Sequence, residues 1–88
     1  MKHSDPEMLN AINTLLQCKA MRCEFRTYSL DEVRQLKDDN VYQTPHGVTP
    51  DNEFAVITCH NGYRYFVNVE GNSDIQTFAA IFETAASK

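Results

Sequence analysis

Two β-rich runs, FAVITCH and YRYFVNV, stand on either side of Asn61-Gly62, and no other feature restricts the folds open to this chain as tightly. Asn-Gly is the preferred pair for a two-residue type I′ turn, because both residues tolerate positive φ. The sequence therefore predicts a hairpin, 54–60 with 63–69. A two-residue loop pairs His60 with Tyr63, Thr58 with Tyr65, Val56 with Val67 and Phe54 with Val69 on one face. The opposite face then holds Ala55, Ile57 and Cys59 beside Arg64, Phe66 and Asn68. In that register Cys59 and His60 point to opposite faces and cannot work as an adjacent pair in one pocket.

A further strand is written in residues 21–28, where Met21, Cys23, Phe25 and Thr27 alternate with Arg22, Glu24 and Arg26. A period of two with one charged side is the pattern of a half-exposed antiparallel strand. Helices are marked by serines followed three residues later by Glu or Gln, the capping-box arrangement: Ser4 with Glu7, Ser29 with Glu32, and Ser73 with Gln76. Behind the first, Met8, Leu9, Ile12, Leu15, Leu16 and Ala20 recur at helical spacing, predicting a helix over 5–20. Behind the third, Ile75, Phe78, Ala79, Phe82 and Ala86 form a stripe, with Ile81 at its edge, predicting a helix over 74–86. Leu30, Val33 and Leu36 support a short helix over 30–37.

The order is helix, strand, short helix, long loop, hairpin, helix. It specifies an α+β fold in a single domain, 1–88, with a small three-stranded antiparallel sheet packed against helices 5–20 and 74–86. On composition, Phe54, Val56, Tyr65, Val67 and Val69 are expected to face the helices. The other hairpin face would then present Ile57 and Phe66 among Arg22, Glu24, Arg26 and Arg64, and something must cover those apolar groups. The chain itself can do so through the short helix or segment 37–53. A partner protein or a second copy is the other reading, since apolar patches bordered by charge tend to mark interaction sites.

Segment 37–53 is long for a connection in a chain of 88 residues, and such loops are often functional. Tyr42 offers an aromatic anchor there, and His46 a group that changes charge near neutral pH. Asp38 and Asp39, with Asp31, Asp51 and Glu53, could imitate a row of phosphates. Against that stands the plainer reading of a solvated charged surface.

Several chemistries are disfavoured. Three cysteines, Cys18, Cys23 and Cys59, and the histidines His3, His46 and His60 lie at scattered spacings without the paired ligands of structural zinc, so neither metal nor cofactor is expected. No nucleophile elbow, phosphate loop, dinucleotide glycine run or HExxH occurs. The chain is thus read as non-enzymatic, with a cysteine-dependent enzyme as an alternative. The formal net charge of −4 lacks the basic excess of a general nucleic-acid binder, although Arg22, Arg26, Arg64 and Phe66 on one sheet face keep base stacking in view. An odd cysteine count, no secretory signal and no long apolar run point to a reducing cytoplasm, native or host, and away from a membrane.

The expected function is a small protein-binding module, a regulator or inhibitor acting by contact and in some forms a homodimer. By analogy alone, a compact acidic domain without catalytic motifs has the profile of a phage or mobile-element accessory protein, the anti-CRISPR type included.

Overall fold

The computed structural model describes residues 6–37 and 48–87. They form α1 (Pro6–Leu16), a 3₁₀ turn (Gln17–Lys19), β1 (Met21–Arg26), α2 (Leu30–Lys37), β2 (Phe54–Cys59), β3 (Arg64–Asn68) and α3 (Asp74–Ala86). The strands make one antiparallel sheet in the order β1-β2-β3, so the α+β architecture read from the sequence holds. The ends of α2 and α3 agree with those expected, and in both the capping box is formed. Ser29 N–H donates to Glu32 Oε1 at 3.0 Å and Glu32 N–H to Ser29 Oγ at 3.2 Å. Ser73 and Gln76 make the same exchange at 2.9 and 3.3 Å. The Ser4–Glu7 box falls outside the described residues.

The hairpin forms, but its register differs by one residue from the expected one. Phe54 lies opposite Asn68, Val56 opposite Phe66 and Thr58 opposite Arg64. The loop has three residues, His60 to Gly62: Cys59 N–H donates to Tyr63 O at 2.9 Å, and Gly62 N–H closes a tight turn onto Cys59 O at 2.9 Å. Gly62 alone takes the left-handed conformation, at φ +88°, as a three-residue loop with a terminal bulge requires. Asn61 has negative φ, and its side chain instead accepts from Tyr63 N–H at 3.0 Å.

Because side chains alternate along a strand, that single step moves every β3 residue to the other face. Ala55 and Ile57 now share a face with Tyr65, Val67 and, from β1, Cys23 and Phe25. Below them lie Met8, Ile12 and Leu16 of α1 and Ile81 and Ala85 of α3, joined by Val69. Phe54 and Val56, expected beneath these helices, face the other way. There they meet Tyr28, Val33, Leu36 and Val48, with Phe66 against the edge, so α2 seals the second face. Of the covers foreseen from the chain itself, α2 and Val48 of segment 37–53 both contribute. Strand β1 also stops at Arg26 rather than 28, which frees Tyr28 to join this second cluster.

The outer helices differ from expectation in which sides they bury. Leu15, on the apolar stripe of α1, is 58% exposed, while Met8, Ile12 and Leu16 carry the packing. The helix ends at Leu16, before the 3₁₀ turn, and Ala20 takes a left-handed φ of 56° to turn the chain into β1. In α3 the buried residues are Thr77, Ile81 and Ala85, so Ile81 is central and Ile75 lies outside.

One residue that amphipathicity does not flag ties α1 to the sheet. Asn13 accepts from Cys23 N–H at 2.7 Å and donates to Cys23 O at 3.0 Å, copying a strand partner at the outer edge of β1. At the far end of the same unit, Lys19 Nζ donates to Ala85 O at 2.7 Å and places a cation on the last turn of α3, where the helix dipole favours it.

Candidate interaction surfaces

The one-residue register change regroups the residues singled out by sequence. Arg22, Arg26, Arg64 and Phe66 do share a face, but Ile57 leaves them and is wholly buried at 0% exposure, so it has no surface to offer a partner. Arg26 Nη2 lies 3.1 Å from Glu32 Oε2, and its guanidinium sits 4.7 Å over the Tyr28 ring. Phe66 meets Tyr28 edge-on, with centroids 6.1 Å apart. These two therefore belong to the seal over the second cluster, a geometry that does not favour the base-stacking surface considered above. Tyr42, His46, Asp38 and Asp39 lie outside the described residues. Among the other carboxylates considered for phosphate imitation, Glu53 is 3% exposed and is not a surface group, and Asp31 pairs with Arg34 at 3.7 Å.

Glu32 is the most engaged acid on this face. The Ser29 backbone N–H, then its hydroxyl, then the Arg26 guanidinium hold its carboxyl below the ordinary value. The α2 seal is thus stitched by charge as well as by apolar packing.

At the hairpin end the structure opens a groove of about 530 Å³, lined by Gln17, Ala20, Met21, Arg22, Cys23, Glu24, Thr58, Cys59 and His60. Cys59 and His60 both border it, Cys59 as the last residue of β2 and His60 in the loop that follows. The thiols there are of unlike character. Burial, with Glu24 adding to it, pushes Cys23 up to about 12, so its sulfur stays protonated. Cys59 is half-buried and stands opposite Tyr63, whose ring lies 5.0 Å from that of Tyr65. Burial, followed by the neighbouring Cys59 and Tyr63, raises the Tyr65 hydroxyl. Among the described residues, no three His, Cys, Asp or Glu side chains gather where a metal ion could sit.

A different kind of surface runs along α3. At about 100° per residue, Thr77, Ile81 and Ala85 face the sheet, and the apolar arc continues through Phe78 and Phe82 to Ile75, Ala79 and Ala86. Phe78 and Phe82 are half-buried and stacked at 5.9 Å, while Ile75 is 82% exposed. Only Asp74 and Glu83 are charged in the whole helix. An ordinary surface helix gives roughly half its circumference to polar groups; this one gives much less. The stripe of the sequence straddles the boundary of the buried side, with Phe78 and Phe82 packed against the core and Ile75 outside, and the width of the arc, which also takes in Ile81, is the sign that α3 presents more than one apolar side. No described helix is long and apolar enough to cross a membrane.

Comparison with protein-family models, with curated proteins and with solved structures finds no match to this chain.

Proposed function

We propose that the chain is a small non-enzymatic protein-binding module, a regulator or inhibitor that works by contact. The observation that supports it is the uncovered apolar flank of α3, with Ile75 82% exposed in a chain too small to leave such a residue outside without cost. The three cysteines are free thiols, in keeping with a reducing cytoplasm, native or host, as the working compartment. A phage or mobile-element accessory role, with a second copy or a host protein on that flank, fits this profile.

The test is capture of a partner from native lysate by immobilised wild-type chain and by Ile75→Glu. Because Ile75 supports nothing beneath it, the variant is expected to keep its circular dichroism spectrum and lose the protein that the wild type retains. Recovery of the same proteins by both chains would sink the reading.

A further inference from the structure

The net charge of −4 conceals a division of charge along the sheet. Among the described residues, Lys19, Arg22 and Arg64 stand around the hairpin end, with Glu24 and, in the last turn of α3 that Lys19 reaches, Glu83 as acids. At the opposite end stand Asp51, Glu53, Glu70 and Asp74, together with Asp31 and Glu32, whose cations Arg34 and Arg26 are already held by them. The row Arg22–Thr58–Arg64 lies four residues along the strands from the row Arg26–Phe54–Asn68, about 13 Å away. One end of an acidic molecule is therefore locally cationic, and the groove opens at that end.

Its lining fits the charge. Arg22 is exposed, and its guanidinium makes no hydrogen bond or ion pair among the described residues. The Gln17 amide, the Thr58 hydroxyl and the His60 ring stand around the same space and can donate to carboxylate oxygens, while Met21 and Ala20 offer apolar surface to the methylene stems of Glu or Asp. A volume of about 530 Å³ takes a few side chains rather than a long strand.

We propose that this groove binds an acidic segment of a partner protein, anchored by a carboxylate on Arg22. The assignment rests on the protein-binding reading for the class of its ligand, but on a surface separate from the α3 flank. Carboxylates fit better than a phosphate row for two reasons. Glu24 lies within the lining, where it repels a continuous polyanion but tolerates spaced acids. Of the aromatic groups of this face, Tyr28 is buried and Phe66 is half-buried edge-on against it, which leaves little ring for a base to stack on.

The experiment titrates a fluorescein-labelled hexapeptide of alternating Glu and Ala, whose acids are spaced, with the chain, following anisotropy, alongside a hexathymidylate probe. The expected result is saturable binding of the peptide, weakened by added salt, and reduced about tenfold or more by Arg22→Glu and by His60→Glu. Asp51→Lys, at the far end, is expected to change it less than either. Tighter binding of the oligonucleotide would overturn the assignment in favour of nucleic acid, and so would peptide binding that both groove variants leave intact. Absence of peptide binding, with Ile75→Glu still losing its captured partner, would remove this inference alone. Peptide binding together with partner capture that Ile75→Glu leaves unchanged would instead remove the α3 reading and leave the groove.

Discussion

Beneath α1 and α3 the sheet presents Ala55, Ile57, Cys23 and Phe25 to two helices, and Ile12, Leu16, Ile57 and Ile81 are all at most 1% exposed. On the opposite face the same strands present Phe54 and Val56 to one eight-residue helix, and the closure is completed by Tyr28, Val48 and the Ser29–Glu32–Arg26 network. The first face is held by aliphatic burial, which is indifferent to pH and salt. The second depends partly on hydrogen-bonded charge, which is sensitive to both. Two sides of one thin sheet should therefore fail under different conditions.

The largest expected effect tests the aliphatic side. Ile57→Ala empties a site at the centre of that cluster and is expected to destabilise the fold by about 2–5 kcal/mol, measured by urea denaturation. A loss below about 1 kcal/mol would show that α1 and α3 collapse onto the gap and that the first face is less rigid than its burial implies. Next comes the edge of that side. Asn13→Ala strands the Cys23 N–H beneath α1 and is expected to cost about 1–3 kcal/mol, with faster hydrogen exchange at Cys23 than at Glu24. Unchanged exchange at Cys23 would mean that the side chain is not sealing the strand.

The smallest effect belongs to the α2 side and sharpens the contrast most. Ser29→Ala is expected to cost about 1 kcal/mol through the lost cap. Since the Glu32 carboxyl is held below its ordinary value of 4.5, its contribution is fully present above that value. It fades as pH falls through the lower folded value. Amide exchange in α2 should accelerate with acid beyond the intrinsic change, and Glu32→Gln should flatten that response while leaving α1 and α3 unaffected. A Glu32→Gln chain with the wild-type pH profile would erase the distinction between the two faces.

What the sequence disclosed follows from how local each signal is. The capping boxes at Ser29 and Ser73 involve neighbours in sequence, and α2 and α3 begin where those boxes place them. The hairpin was legible in Asn61-Gly62, but its loop length was not, because a glycine in the left-handed region serves a two-residue loop and a three-residue bulge equally well. That ambiguity of one residue exchanged the companions of Ile57, Tyr65 and Phe66, and with them the candidate surface. The exposed side of α3 was hidden for another reason: periodicity reports which residues are apolar, whereas burial depends on what the fold brings alongside. Asn13 had a faint signature, being a poor helix former in the interior of an otherwise good helix. The groove had none, since Gln17, Arg22, Thr58 and His60 meet only once β1 and β2 are paired.

The amide of Asn13 also bears on how copies of this protein can combine. A bare outer strand invites the same strand of another molecule, and sheets that accept neighbours on both sides can lengthen without limit. With Cys23 N–H and O both occupied from within, the middle of β1 offers no free backbone pair to an incoming strand. A strand docking on β1 would have to displace that exchange, which makes β1 a poorer template for open-ended pairing than a bare edge. A single asparagine in a helix thus guards the strand beside it.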